Sequence, residues 1–224
     1  MSTLAFALHH LRKDVRIEWR SKDATNAMLF FALLVAVIFS FAFDPTADES
    51  KQIAGGIIWI AFLFASTLAV NQTWARELRH GVLDALRIAP ASKNAILLGK
   101  SAGNFLFVCI IQALVWPVFV VFYNLRIAGS ALQLIAVLLL GSWALVMNGT
   151  FFTALSIRTR NREVMLPLLL FPISIPALLA MVEATTAVLT GDASPAMWMK
   201  ILAAYDVVFT TVGLLLFETV LNAE

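Results

Sequence analysis

The residues of this sequence that could carry out chemistry are few and scattered. Its histidines are His9, His10 and His80, and no pair of them has the spacing of a metal site in a buried setting. The one cysteine, Cys109, lies inside an apolar run, and neither a CxxC nor a CxxCH motif is present. The sequence therefore gives no support for thiol redox chemistry or covalent haem attachment. We expect no catalytic residue, no metal site and no cofactor held by this chain.

One fragment looks like part of an ATP site. Gly99-Lys100-Ser101 resembles the end of a phosphate-binding loop, but the first glycine of that motif should stand five residues before Gly99, where the sequence has Asn94. The fragment also opens an apolar run instead of following a strand. We therefore expect this chain not to be an enzyme, and any ATP to be bound only by a partner subunit.

Acidic residues within apolar runs are better candidates. An ionisable group at membrane depth is by default a functional candidate. Asp206 lies well inside its run, whereas Glu183 and Glu218 lie near the ends of theirs, where a position at the membrane surface explains them equally well. We predict that Asp206 is a polar residue of a pathway or a helix interface. We predict the same for Glu183, for which a position at the membrane surface is the alternative.

The apolar runs around these residues are long enough to cross a membrane. Hydrophobic residues make up 61% of the 224 residues and charged ones only 13%, against about 25% charged in a typical soluble domain. A membrane-spanning helix needs about 20 apolar residues. We predict an all-α membrane protein with six transmembrane helices, at residues 27–43, 53–73, 95–123, 131–156, 164–189 and 199–221.

The basic residues indicate the orientation of these spans. Segments 1–26, 74–100 and 157–163 hold 5, 5 and 3 of the 16 Lys and Arg residues, and the alternate connections hold only 3. Cytoplasmic loops carry the excess of Lys and Arg. We therefore predict cytoplasmic N- and C-termini and a cytoplasmic loop at residues 74–94.

Residues 1–26 are predicted to form an interfacial amphipathic helix. Five apolar residues fall on one stripe at helical spacing, namely Leu4, Leu8, Leu11, Val15 and Trp19. Three basic residues lie roughly opposite, namely Lys13, Arg16 and Arg20. We expect the apolar face to meet acyl chains and the basic face to meet anionic headgroups. The alternative is an ordinary surface helix.

The fifth span contains Pro167, Pro172 and Pro176. Each proline removes a helical hydrogen bond, and broken backbone at membrane depth needs cover from protein or a water-filled cavity. We predict a broken span that faces other helices or a pathway, with a re-entrant segment at residues 177–198 as an alternative to a simple helix and turn.

Loop 74–94 is the most organised polar segment. Apolar residues recur at helical spacing among its charges, Gly81 interrupts the pattern, and Pro90 closes it. Its length of about 20 residues exceeds what a connection needs. We predict a short amphipathic helix that docks on a partner, and a plain connector is the alternative.

Three stretches resemble the haem exporter protein B family, the permease of the cytochrome c maturation ABC system. They are the run Gly55-Gly56-Ile57-Ile58-Trp59-Ile60, residues 74–86, and the proline-rich residues 166–176. Within the second stretch, the family's loop pattern is kept at Glu77, Gly81, Leu83, Asp84 and Leu86. Trp74 replaces one aromatic residue of the pattern by another, and His80 and Val82 depart from the pattern.

The resemblance implies a six-helix exporter permease of the ABC-2 type in a bacterial or organellar inner membrane. It implies a homodimer, a cytoplasmic ABC ATPase docked on the coupling loop, and cooperation with other cytochrome c maturation membrane proteins and a periplasmic haem chaperone. Haem is then the candidate substrate, and no nucleic acid is involved. The docking residues would be Trp74, Glu77, Gly81, Leu83, Asp84 and Leu86.

Two other functions remain open from the sequence. One is an ABC-2 type permease for a drug, a lipid or a polysaccharide. The other is a membrane scaffold without a transport role.

Overall fold

Seven helices make up nearly all of the computed structural model, which describes residues 3–43, 48–79, 81, 92–156 and 162–222. Within these residues there is no strand. The helices are α1 (Thr3–Ser21), α2 (Asp23–Ala42), α3 (Asp48–Arg79), α4 (Lys93–Phe122), α5 (Ala131–Ser156), α6 (Arg162–Thr190) and α7 (Ala196–Asn222).

The six helices α2 to α7 are each long and apolar enough to cross a membrane, which confirms the prediction of a six-span all-α membrane protein. Even the shortest, α2, has 20 residues, and 20 helical residues reach about 30 Å, the thickness of the hydrocarbon core. The amphipathic α1 precedes them, and the chain changes direction between α1 and α2 at Lys22, which has a left-handed φ of 58°.

Helix α3 is the centre of the bundle. It packs against α2, α5 and α6 and also contacts α4, and 72% of its most apolar stretch is buried. Small residues permit this close approach. A Cβ at Gly55 would lie 2.7 Å from Thr186 Oγ1 of α6, and a Cβ at Gly141 of α5 would overlap the ring of Trp59.

The same contact contains a buried hydrogen bond. Trp59 Nε1 of α3 donates to Thr185 Oγ1 of α6 at 2.8 Å, so the one polar atom of the indole is satisfied inside the bundle. The Gly55–Ile60 run therefore joins three spans: its glycine lies against α6, and its tryptophan fills the space left by Gly141 on α5.

The expectation of a broken fifth span is wrong. Helix α6 continues through Pro167, Pro172 and Pro176. The fixed φ of proline is compatible with a helix, although each ring removes one donor and crowds the carbonyl four residues earlier. Near Pro176 the hydroxyl of Tyr205 on α7 donates to the Ile173 carbonyl at 2.9 Å.

The prolines also do not line the interior of this chain. Pro172 and Pro176 are exposed on the outside of the bundle, and Pro167 is half-buried.

The end of the fifth span is a simple turn. Helix α6 runs to Thr190 and α7 begins at Ala196, so residues 177–198 form a helix end, a turn and a helix start, and no re-entrant segment. Gly191 makes the turn with a φ of 75°. The backbone of the connection before α5 supports it, since Gly129 N–H donates to the Val188 carbonyl at 2.9 Å.

The Trp59 contact predicts an asymmetry between two glycines. Gly141→Ala should destabilise the protein by about 1–3 kcal/mol, the usual cost of overpacking, because the new Cβ would collide with the indole. Gly56→Ala is the matched control, because a Cβ there meets nothing within 4 Å. Thermal unfolding of the detergent-purified chain measures both, and equal midpoints would contradict this packing.

Candidate functional site

The segment predicted to form a separate cytoplasmic helix begins inside α3. Helix α3 extends to Arg79, so Trp74 and Glu77 belong to its last turns and not to a loop. Both side chains are buried, Trp74 completely and Glu77 to all but 6%. The stripe that buries Val70 continues one turn later at Trp74, which explains why the helix continues where the polar residues begin.

Glu77 is the centre of a buried charge cluster. Its Oε1 atom lies 2.7 Å from Lys13 Nζ of α1 and 3.0 Å from Lys100 Nζ of α4. Asp14 of α1 completes the group, with its carboxylate 3.4 Å from Lys13 and 3.6 Å from Lys100. Two ammonium groups thus face two carboxylates at one end of the bundle, which we call the base.

Lys100 is the most buried member of this cluster. Only 1% of it is exposed, and its Nζ lies 4.7 Å from the ring centroid of Trp74, a cation–π arrangement. Glycine at position 99 lets α1 approach, since a Cβ there would lie 2.7 Å from the Ala7 carbonyl oxygen. The Gly99-Lys100-Ser101 fragment is therefore helix-packing sequence in α4.

A second ion pair lies beside the first. Arg76 of α3 forms a salt bridge with Glu18 of α1 and donates to Ser21 Oγ at 2.8 Å. Glu18 is 2% exposed and also accepts from the Thr25 backbone N–H at 2.8 Å. Together the two groups fasten α1 to the last turns of α3.

The charges of this region shift its protonation equilibria. Burial raises the pKa of Glu18, but the hydrogen bonds from Arg76 and Thr25 outweigh burial and hold that pKa below its ordinary value. Burial lowers the pKa of Lys13, but the nearby Glu77 and Asp14 carboxylates outweigh burial and raise it. Both side chains are therefore held in their charged forms.

The orientation of α1 differs in part from the prediction. Leu8 and Trp19 point outward, 56% and 70% exposed, as an apolar face toward lipid requires. Lys13 does not face outward with Arg16, because its ammonium group turns to Glu77. The charged side of α1 is thus divided: one part binds the bundle and the other is exposed.

Asp206 is on α7, away from the base and next in the chain to Tyr205. It is 7% exposed, and neither carboxyl oxygen has a hydrogen-bond partner among the described residues. Its neighbour Tyr205 accepts from Asn148 Nδ2 at 2.7 Å and donates to the Ile173 carbonyl. Glu183, the other acidic residue singled out from the sequence, is exposed on α6.

The remaining predicted docking residues are on or beyond the end of α3. Gly81 forms an exposed turn with a φ of 65°, and its N–H donates to the Leu78 carbonyl at 3.2 Å. Leu83, Asp84 and Leu86 lie outside the described residues. The docking role of the whole set stays a prediction.

Comparison with known proteins assigns the family. The profile of the CcmB protein family matches residues 5–222. This chain belongs to the CcmB family. It is 31% identical over 169 residues to Heme exporter protein B of Rhodobacter capsulatus, covering 75% of this chain and 77% of that protein.

Two further relatives extend the match. Heme exporter protein B of Paracoccus denitrificans is 31% identical over 175 residues, 78% of this chain and 79% of the relative. Its counterpart in Bradyrhizobium diazoefficiens is 27% identical over 204 residues and covers 91% of both chains. The family resemblance drawn from the sequence motifs is thereby confirmed.

Sequence reasoning missed the partners of Glu77 in this CcmB-family chain. Lys100 was an available signal, because a lysine seven residues inside an apolar span needs a buried acidic partner. Lys13 gave no such signal, since its position on an amphipathic helix fits a solvated basic face. In the part of the chain that the structure describes, no group of His, Cys, Asp or Glu residues could hold a metal ion.

The buried cluster predicts that one substitution strongly lowers the stability of the protein and that a second substitution partly restores it. Glu77→Gln should destabilise the protein by about 3–5 kcal/mol, because it leaves the buried Lys100 ammonium short of negative charge. Adding Lys100→Met should recover part of that loss by removing the unpaired charge. Thermal unfolding in detergent provides the measurement, with the exposed Glu183→Gln as control.

Either of two outcomes would contradict this assignment. One is a Glu77→Gln variant as stable as the wild type. The other is a Glu77→Gln, Lys100→Met variant no more stable than the single substitution.

Proposed function

We propose that this chain is the membrane permease subunit of an ABC transporter required for cytochrome c maturation. The observation that carries the proposal is the match of the CcmB family over residues 5–222, together with relatives named Heme exporter protein B that align with most of the chain. Six spans with a braced base are a suitable architecture for such a subunit. The work done would be haem export or the release of a haem-loaded chaperone.

The orientation in this proposal follows from the charge distribution. The base of the bundle, where α1 lies, α3 ends and α4 begins, carries most of the Lys and Arg residues. The positive-inside rule puts that end in the cytoplasm, and the family's setting is the inner membrane. A cytoplasmic ATPase would then meet the connection between α3 and α4, and this chain would contribute no ATP site.

The buried position of Glu77 gives it a different role from direct docking. Its carboxylate is occupied by Lys13 and Lys100, so in this conformation it offers no surface to a partner. We propose that the exposed turn at Gly81 and the residues after it contact the ATPase. Glu77 and Arg76 would then fix α3 to α1 and α4, so that movement of that contact reaches the spans.

Loss of the gene should abolish cytochrome c assembly. We expect a deletion strain to lack holo-cytochrome c by haem staining, and a plasmid copy of this chain to restore it. Normal holo-cytochrome c in the deletion strain would exclude the proposed function. An ATP-dependent cycle without an effect on cytochrome c would favour an ABC-2 permease for another substrate, and no cycle at all would favour a scaffold.

The docking assignment is tested at Gly81. Gly81→Trp should release the ATPase in co-purification, because it puts a bulky side chain on an exposed turn whose φ is 65°. Asn124→Trp is the matched control, an exposed positive-φ position at the opposite end of the bundle. Wild-type recovery of the ATPase with Gly81→Trp would place the docking site elsewhere.

Asp206 is proposed as a polar residue of the transport pathway. Asp206→Ala should lower holo-cytochrome c severalfold while the amount of membrane-inserted chain stays unchanged, and Asp206→Asn should lower it less, since the amide keeps a hydrogen-bonding side chain. Asp192→Ala, at an exposed position in the turn between α6 and α7, is the control, measured by the same haem stain and an immunoblot. Full assembly with Asp206→Ala would exclude the pathway role.

A further inference from the structure

A groove of about 510 Å³ lies between the outward side of α1 and helix α4. Its α1 wall combines three arginines with three apolar residues, and its α4 wall contributes Leu106. The proposed function makes no use of this groove. Its two kinds of lining follow adjacent faces of α1: Arg12, Arg16 and Arg20 lie on one face, and Leu11, Val15 and Trp19 lie on the next.

The arginines form a continuous basic stripe. They are spaced four residues apart, so their side chains lie above one another on one face of the helix. All three are exposed, and the ion pairs seen among the described residues do not include them. The acidic residues of α1 cannot neutralise them, because Asp14 and Glu18 face Lys100 and Arg76 inside the bundle.

The apolar side of the groove is open to the membrane. Trp19 is 70% exposed and Leu106 is 43% exposed. Leu106 belongs to the spanning helix α4, so this side of the groove continues onto the lipid-facing surface of the bundle. Tryptophan is enriched at such boundaries because its ring is apolar while its N–H is polar.

The groove is also held in a fixed position. The Lys13–Glu77 and Glu18–Arg76 pairs fasten the opposite side of α1 to α3, and Gly99 lets α1 lie close to α4. A ligand would therefore meet arginines whose helix is already in place, which lowers the entropic cost of binding.

We propose that this groove binds one anionic phospholipid of the adjacent leaflet. The phosphate would sit along Arg12, Arg16 and Arg20, since guanidinium groups pair with phosphate through parallel hydrogen bonds. The acyl chains would follow Trp19 and Leu106 into the bilayer. A soluble anion would use only the arginines and would leave the apolar side uncovered. The groove places positive charge beside apolar surface, and these two features match the phosphate and the acyl chains of a lipid.

The test is lipid binding to the detergent-purified full chain, followed by native mass spectrometry. Phosphatidylglycerol is compared with phosphatidylcholine of the same acyl chains. We expect the wild type to prefer phosphatidylglycerol about tenfold or more. Replacing all three arginines (Arg12→Gln, Arg16→Gln, Arg20→Gln) should weaken that binding about tenfold to a hundredfold, the range given by three basic residues near an anionic lipid.

Three further variants separate charge, folding and apolar contact. Replacing the same three arginines by lysine keeps the charge and should keep most of the preference. A control that removes three exposed charges elsewhere (Arg79→Gln, Arg126→Gln, Lys200→Gln) should bind like the wild type. Leu106→Gln should weaken phosphatidylglycerol severalfold with the arginines intact.

Several results would overturn the proposal. Equal binding of the two lipids by the wild type would do so, and would fit a groove that serves an acidic protein segment instead. Unchanged phosphatidylglycerol binding after the three Arg→Gln replacements would also do so, as would unchanged binding with Leu106→Gln. Displacement of the lipid by millimolar inorganic phosphate would identify a soluble-anion site and not a lipid site.

Discussion

The pairing of Glu77 with Lys100 is the constraint on which the base of this bundle depends. Both groups are almost fully buried, and a buried charge is costly unless an opposite charge and hydrogen bonds replace the water it has lost. Meeting that need requires α3 to continue past the apolar part of its span, so that Glu77 reaches the level of Lys100. It also requires α1 to pack on α4 with side chains that reach α3, because Lys13 and Asp14 complete the neutralisation. One electrostatic requirement thus explains both the length of α3 and the position of α1.

Away from the base, the helices are held together by close packing at small residues instead of by ion pairs. In a membrane, helices gain little from burying apolar side chains, because lipid is equally apolar, so contact depends on how closely their surfaces fit. Gly55 and Gly141 supply that closeness around Trp59, and the Trp59–Thr185 hydrogen bond sets the register between α3 and α6. The two arrangements complement each other: ion pairs fix α1, α3 and α4 at one end, and shape fixes α3, α5 and α6 along their length.

The sequence predicted the features that depend on composition along the chain. It did not predict the features that depend on contacts between residues far apart in the chain. The six spans follow from apolar length. The prolines of α6 misled because the fixed φ of proline is compatible with a helix and because Tyr205, 32 residues from Ile173, donates to the backbone nearby. Glu77 was recognised by its pattern but placed on the surface, since nothing local reveals that Lys13, 64 residues away, pairs with it. Asp206 was singled out by its place inside an apolar run, and it is the buried one of the three acids, because it is 7% exposed whereas Glu183 and Glu218 are exposed.

These constraints bear on how movement at the base could reach the interior. Separating α3 from α1 or α4 would expose buried charges with no replacement partner, so the three helices should move as one unit. Helix α7 is not tied to that unit by any ion pair in the part of the chain that the structure describes. Among the described residues, its side-chain hydrogen bonds to other helices run to α5 and α6, at Trp143–Thr210, Asn148–Tyr205 and Tyr205–Ile173. Displacement of α7 against α1, α3 and α4 is therefore less costly than separating those three helices. Asp206 also lies on α7, outside that unit, and its carboxyl oxygens have no hydrogen-bond partner among the residues that the structure describes. The environment of this carboxyl group can therefore change without breaking the base.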